Sequence, residues 1–143
     1  MAAVSTAATI SAGKAQQQAY NAQAAEAKIQ GRSQAIAYRQ QGAYVLRNLN
    51  ETLAATVTMA AGGNVDPTSG SARVMQEFAR AEAYAEYGTA QDNAVLALEG
   101  AKTQAQIYQM AGKAAYQTSI VRGATIMGDA IQKSLSLQPG AIG

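Results

Sequence analysis

The sequence predicts an all-α fold, a long antiparallel αα-hairpin of two Ala/Gln-rich helices that is extended and completed by oligomerisation. Only one proline, Pro67, stands well inside the chain of 143 residues. Large apolar residues recur on both sides of it at spacings near three, four and seven, the pattern of an amphipathic helix. Trp is absent, Phe occurs once, and alanine supplies about half of the apolar residues, so the core must be thin.

The first helix is predicted from about residue 5 to about residue 61. No proline interrupts this stretch, and alanine and glutamine are good helix formers. At about 1.5 Å per residue, each of two such helices would span roughly 80 to 95 Å if continuous, far longer than most helices of globular domains. The larger apolar residues that mark its apolar face are Ile29, Ile36, Leu46, Leu49, Leu53 and Val57.

The second helix is predicted from about residue 71 to residue 136, with a flexible tail at 137–143. Its larger apolar residues are interleaved with alanines such as Ala81, Ala85 and Ala114. Residues 1–143 are therefore predicted to form a single helical-hairpin domain. The larger apolar residues of this helix are Val74, Phe78, Leu96, Ile107, Met110, Val121, Ile131 and Leu135.

The stretch AAGGNVDPTSGSARV is predicted to be the turn, over about residues 62–70. Gly62 and Gly63 fall where a helix would end in a left-handed cap, because glycine takes a positive φ without a Cβ penalty. Pro67 lacks an amide hydrogen and pushes Asp66 out of the helical region, and a serine beyond it can cap the next helix. A binding loop is the alternative interpretation. The predicted turn residues are Gly62, Gly63, Asn64, Asp66, Pro67, Gly70 and Ser71.

The charge distribution favours an antiparallel pairing of the helices. Residues 1–61 are net basic, residues 72–99 are net acidic, and residues 100–138 are net basic again. The total charge of +2 is too small to indicate a nucleic-acid or acidic-lipid partner by itself.

A reversal of the chain at about residue 66 or 67 makes the numbers of facing residues sum to about 133. Arg47 then falls near Glu86, and Glu51 falls near Arg80 and Glu82. Exposed pairs of this kind contribute roughly 0 to 1 kcal/mol each, so they select the register rather than hold the fold. The residues predicted to interact between the helices are Arg47, Glu51, Arg80, Glu82 and Glu86.

Glycines inside the predicted helices each cost about 1 kcal/mol relative to alanine, which a close approach must offset. Their spacings lie near the eleven-residue period that keeps one position on one helix face. The approach can occur within the hairpin or between chains. Because a long hairpin has one internal seam and little else to bury, we expect a homo-oligomer or a larger sheath of hairpins. The predicted helix-interface glycines are Gly31, Gly42, Gly88, Gly100, Gly112 and Gly123.

The residue types that carry most protein chemistry are scarce. The chain has no Cys and no His, and it contains no phosphate-binding loop, paired-His zinc motif or nucleophile elbow. Glu82 and Glu86 lie one helical turn apart and could share a metal, but a solvated face or interhelical pairing is the stronger interpretation. We therefore predict no enzyme, no catalytic residue, no cofactor and no metal site.

The sequence gives little indication of a membrane-spanning segment. The start of the chain has no basic region ahead of its apolar part, so it is not predicted to be a signal peptide, and no apolar run of about 18 residues occurs. Residues 118–137, with Arg122 and Lys133, form a modestly amphipathic stretch that suits a membrane surface or packing inside an assembly. An interface role is predicted for the tyrosines Tyr20, Tyr38, Tyr44, Tyr84, Tyr87, Tyr108 and Tyr116.

Three features resemble the smallest internal virion proteins, the ejection or core proteins, of short-tailed bacteriophages. They are the small-residue stretch AATISAGKAQQQAYNAQAAEAKIQGRSQAIAYRQQG, the helix end and restart TLAATVTMAAGGNVDPTSGSARVMQEFARAEAYAEYG, and a second long Ala/Gln helix. In those proteins a helix stops at a glycine-containing turn and the next begins with GS, here Gly70-Ser71, followed by Glu- and Tyr-rich turns. The resemblance covers about residues 7–135.

The resemblance implies a structural protein inside the virion, near the portal or tail, that is ejected at infection into the host cell envelope. It would oligomerise into a ring or tube with other virion proteins (portal, tail and ejection proteins), and the host envelope membrane is a further candidate partner. DNA would pass only as cargo, without sequence specificity. The alternative is a membrane-active or scaffold-like amphipathic helical protein without a phage role.

Overall fold

The structure, a computed structural model, describes residues 2–64 and 66–136, with side chains for 5–64 and 66–133. In these ranges it contains two α-helices that pack against each other, α1 at Ala2–Gly62 and α2 at Gly70–Ser136. The predicted all-α helical hairpin is therefore confirmed. The predicted flexible tail at 137–143 lies outside the described residues.

The contacts divide the chain into two compact units. The turn unit is Ile29–Ala101, and the terminal unit is Met1–Lys28 with Lys102–Gly143. Each unit combines a segment of α1 with a segment of α2. Each is therefore a short two-helix layer, and each is described below by itself.

The register of the two helices follows from glycines that lie against the opposite helix. In the turn unit Gly31 lies against Ala101 and Gly42 against Ala90; the residue numbers of each pair sum to 132. In the terminal unit the same sum relates Gly13 to Ser119. The helices are thus antiparallel within each unit, one residue from the predicted sum of 133.

Small residues fill the seam, the buried strip along which the two helices of a unit meet. On α2 of the turn unit, Ala72, Ala83 and Ala94 are buried and stand eleven residues apart. Three helical turns of 3.67 residues make eleven, so this spacing returns each alanine to the same face. On α1 the buried positions of the same unit are Gly31, Ala35, Gly42, Leu49 and Ala60.

The large apolar residues mostly lie outside the seam, contrary to the predicted apolar faces. Leu49 is buried, and Leu46 and Leu53 are half-buried. Leu135 lies outside the residues whose side chains are described. Backbones that approach closely enough for alanine and glycine to touch leave no room for larger side chains between them. The exposed ones are Ile29, Ile36, Val57, Val74, Phe78, Leu96, Ile107, Met110, Val121 and Ile131.

The first half of the turn differs in detail from the expected glycine cap. Gly63 donates its amide to the carbonyl of Met59 at 3.0 Å, and Asn64 donates to Ala61 at 3.3 Å. The left-handed residue after α1 is Asn64, with φ of 58°. Asparagine is among the few side chains that tolerate this conformation, so Asn64 provides the reversal that was assigned to Gly62 and Gly63.

The second half of the turn is held by Asp66. Its carboxylate accepts bonds from the Thr68 amide at 2.9 Å and the Thr68 hydroxyl at 2.7 Å. The Ser69 hydroxyl donates to the Asp66 carbonyl at 3.3 Å, instead of accepting from an amide of α2 as a cap would. Gln76 of α2 donates to the Pro67 carbonyl at 3.0 Å, which ties the turn to α2.

Candidate interaction surface

The turn unit has two outer faces, one on each helix, that point away from the seam. On α1, Tyr44 stands two residues beyond the buried Gly42 and is 64% exposed. On α2, Gly88 stands two residues before the buried Ala90. Two residues rotate a helix position by about 200°, so each residue lies nearly opposite the seam. Because Gly42 lies against Ala90, Tyr44 and Gly88 occupy the same level on opposite sides of the unit.

Apolar residues are exposed beside these outer faces. On α1, Ile36 follows the buried Ala35 by one residue and is 54% exposed. On α2, Val95 follows the buried Ala94 by one residue and is 51% exposed. Single exposed apolar residues need no explanation, but aligned apolar residues on both helices of one unit form a surface that suits a partner. The other large exposed apolar residues of this unit include Ile29, Met59, Val74, Phe78, Tyr84 and Leu96.

The terminal unit has an exposed apolar surface of its own. Ile107 of α2 is 54% exposed. Met110 and Val121, eleven residues apart, are exposed on one face of α2. This unit therefore also leaves large side chains outside its seam, including Ile120, Ile126, Met127 and Ile131.

Four of the six predicted interface glycines lie in the seams, and the other two, Gly88 and Gly100, lie outside them. Gly31 and Gly42 lie in the seam of the turn unit, where an added Cβ at Gly42 would come within 3.1 Å of the Tyr87 ring. Gly112 and Gly123 lie in the seam of the terminal unit, where an added Cβ would come within 3.1 Å of Tyr20 and 3.2 Å of Thr6 respectively. An added Cβ at Gly88 or Gly100 would meet none of the described neighbours within 4 Å.

Two of the residues predicted to interact between the helices, Arg47 and Glu51, pair with each other within α1. Arg47 donates to Glu51 of its own helix at 3.2 Å, with side chains that are 78% and 65% exposed, instead of pairing with Glu86. Residues four apart on a helix are immediate neighbours, so the local pair forms without bending either side chain across the seam. Arg80 is exposed. Arg73 pairs locally in the same way with Glu77, at 2.8 Å.

Glu82 and Glu86 line an open groove on one side of the turn unit. The groove also contains Val45, Asn48 and Leu49 of α1. Among the described residues, no three carboxylate or other ligating side chains come together. Among the described residues of the turn unit, Leu49 in this groove is the large apolar side chain that is buried in the seam.

The tyrosines divide by position. Tyr44 and Tyr84 are largely exposed on the turn unit. The others flank the seams as half-buried side chains: Tyr20, Tyr38, Tyr87, Tyr108 and Tyr116. An apolar ring with a polar tip suits the wet edge of a narrow seam.

Polar groups of the described turn residues Asp66, Thr68 and Ser69 bond to one another. The two hydrogen bonds from Thr68 hold the pKa of Asp66 below its ordinary value of 3.8, since both stabilise the ionised carboxylate. The contribution of this carboxylate to stability is present above its pKa in the unfolded chain. It is lost as pH falls through the depressed folded value.

Replacing Thr68 with valine is expected to raise the pKa of Asp66 toward 3.8. Valine keeps the branched shape but removes the hydroxyl donor, while the backbone amide bond remains. Carboxyl-carbon NMR titration of the Asp66 side chain measures the shift, with Asp92, an exposed helix carboxylate, as an internal reference. An unchanged pKa in the variant would show that the hydroxyl bond does not stabilise the carboxylate.

One close contact in the terminal unit escaped the sequence prediction. An added Cβ at Gly13 would overlap the Ser119 side chain, which donates to the Tyr116 carbonyl at 2.7 Å. Gly13 stands eleven residues before the buried Ala24. Extending the eleven-residue spacing to alanine as well as glycine would have identified it.

No protein-family model, no curated protein and no solved structure matches this chain. Within the described residues, neither helix has a stretch that is both long and apolar enough to span a membrane.

Proposed function

We propose that this protein is a non-enzymatic structural protein that assembles with further copies of itself through its outer faces. The observation that carries this proposal is the inversion of residue sizes: alanine and glycine fill the seams while Ile, Leu, Val, Met, Phe and Tyr stand outside. Burying an exposed Ile or Leu is worth about 1.5 to 3 kcal/mol, so association offers more apolar burial than the seams do.

We place this assembly in a bacteriophage virion because of the resemblance of the sequence to the small internal proteins of short-tailed phages. In this role the protein is associated with the portal or tail and forms a ring or tube through which DNA passes the cell envelope. Its partners are further copies and other virion proteins, and DNA is cargo without sequence-specific contacts. The host envelope is its location after ejection.

Two measurements test the proposal. Sedimentation velocity across a range of concentrations is expected to show a defined oligomer, and a stable monomer throughout would overturn self-assembly. Mass spectrometry of virions purified from the source that carries this sequence is expected to detect the chain. Its consistent absence from purified particles would overturn the phage role.

A membrane-active role is the second candidate, favoured by the exposed apolar residues of α2 in the terminal unit. Ile120, Val121, Ile126 and Met127 lie close to Arg122, a combination found in helices that lie on lipid surfaces. Dye release from anionic liposomes by the intact chain is the expected result for this role. Full retention of the dye would favour assembly without direct membrane action.

A further inference from the structure

We infer that copies associate side by side through the turn unit, with the outer face of α1 of one copy on the outer face of α2 of the next. This inference rests on the proposed self-assembly and specifies its interface. The contact is heterologous, because two different faces meet. Such contacts repeat from copy to copy and close into a ring where the rotation permits.

Charge determines which faces meet. In the turn unit, α1 carries three arginines against one glutamate, so it is basic. The α2 segment of the same unit carries two arginines against five acidic residues, so it is acidic. The local pair of Arg47 with Glu51 and that of Arg73 with Glu77 leave this imbalance between the helices in place. Contact of α1 with α1, or of α2 with α2, would bring like charges together, whereas α1 on α2 is complementary.

Symmetry determines the register. In a ring whose axis runs along the helices of the turn unit, all copies stand at the same height. Residues of α1 therefore face residues of the neighbouring α2 whose numbers again sum to 132, as they do within one copy. Tyr44 of one copy then lies at the height of Gly88 of the next. Ile36 lies within one residue, about 1.5 Å, of Val95.

In this register the ring of Tyr44 of one copy and the surface at Gly88 of the next copy have complementary shapes. Tyr44 is a large exposed ring, and the surface above Gly88 is open, with nothing within 4 Å of an added Cβ. A glycine in the interior of a helix costs about 1 kcal/mol, and no contact with the described residues explains it at Gly88. The ring of Tyr44 from the next copy would fill this space.

Ile36 and Val95 supply the adjoining apolar contact. Each follows a buried seam alanine by one residue, Ala35 and Ala94 respectively. They therefore point to the same side of the unit. In neighbouring copies at equal height their side chains meet beside the Tyr44 contact.

Cysteine cross-linking tests the interface directly, because the native chain has no cysteine. Ile36→Cys combined with Val95→Cys, treated with a short bis-maleimide, is expected to give a ladder of covalent multimers. The two positions of one chain lie on the same side of the unit but on different helices, so a link within one chain runs as a monomer and only a link between copies extends the ladder. The matched control combines Ile36→Cys with Tyr84→Cys. Tyr84 also follows a buried alanine, Ala83, but is displaced by eleven residues, about 16 Å.

Glycine substitution tests the Tyr44 contact in the native register. Gly88→Ala is expected to raise the thermal stability of the dissociated chain and to weaken association about tenfold or more, since a methyl group would occupy the space for the ring. Gly100→Ala, at the other open glycine, is expected to stabilise the chain and leave association unchanged.

The outcomes separate the inference from the proposed function. A ladder from the Ile36/Val95 pair alone, together with selective weakening by Gly88→Ala, supports the interface. An oligomer that gives equal ladders with both pairs, or that dimerises through Ile36→Cys alone, overturns the interface and leaves self-assembly standing. A chain that stays monomeric at all concentrations overturns both.

Discussion

Replacing Gly31 with alanine is expected to destabilise the turn unit by about 1 to 2 kcal/mol, although alanine is the better helix former. The added Cβ would overlap the Cβ of Ala101 and stand 2.9 Å from the Ala97 carbonyl oxygen. Both obstacles are fixed to the backbone of α2, so no flexible side chain can move aside. Overpacking of this kind costs about 1 to 3 kcal/mol, which outweighs the helix-propensity gain of about 1 kcal/mol.

The same substitution at Gly100 has the opposite expected sign. Gly100 is exposed and nothing lies within 4 Å of an added Cβ, so Gly100→Ala should stabilise the chain by up to about 1 kcal/mol. Urea unfolding followed by far-ultraviolet circular dichroism, at concentrations where the chain is dissociated, measures both variants. Stabilisation by Gly31→Ala would show that the two helices do not approach as closely as the seam requires.

A second substitution, at Ala101, tests whether the loss of stability in Gly31→Ala comes from the overlap of the two Cβ atoms. Adding Ala101→Gly to Gly31→Ala removes the overlap between the two Cβ atoms but leaves the Ala97 carbonyl in place. The double variant is therefore expected to recover part of the lost stability. Strict additivity of the two substitutions would indicate that the two side chains do not interact.

The turn and register were predictable because their signals are local. Pro67 marks the reversal in the sequence, and the position of the reversal alone sets the register to within one residue. The sequence did not identify which residue takes the left-handed conformation after α1. Asn64 and Gly63 are both acceptable at a left-handed position, and only the observed hydrogen bonds of the turn distinguish them.

The identity of the buried face was not predictable from periodicity. Small and large residues both recur at helical spacings, and which set is buried depends on how closely the backbones approach. The glycines of α2 illustrate why periodicity alone does not identify the buried face. From Gly88 to Gly100 and on to Gly112 the spacing is twelve residues, which rotates each position by about 120°, whereas the eleven residues from Gly112 to Gly123 rotate it by about 20°. Spacings that look alike in the sequence therefore place glycines on different faces.

The outer faces could be assigned only once the seam was known. Tyr44 and Ile36 are ordinary members of an apolar pattern in the sequence, and an amphipathic interpretation places Ile36 inside. Their exposure follows from the burial of Gly42 and Ala35 next to them. The interaction surface is thus defined by what the narrow seam excludes.

Replacing Leu49 with alanine is expected to destabilise the turn unit by about 2 to 3 kcal/mol. Leu49 is 8% exposed and is the one large apolar side chain among the buried residues of this unit. Its neighbours in the groove, which include Ala83 and Val45, are too short to fill the space it would leave. Burial losses for leucine run from about 2 to 5 kcal/mol, and the open groove, which admits water, places this site at the lower end.

Met59→Ala is the matched control for Leu49→Ala, because it removes a side chain of similar size from the same helix. Met59 is 73% exposed, so its truncation is expected to change stability by no more than about 0.5 kcal/mol. Chemical denaturation of the dissociated chain compares the two variants at equal concentration. Equal losses would mean that burial in the turn unit does not distinguish Leu49 from the apolar residues outside its seam. A large loss confined to Leu49 would show that a narrow seam of alanine and glycine still depends on one large side chain for its stability.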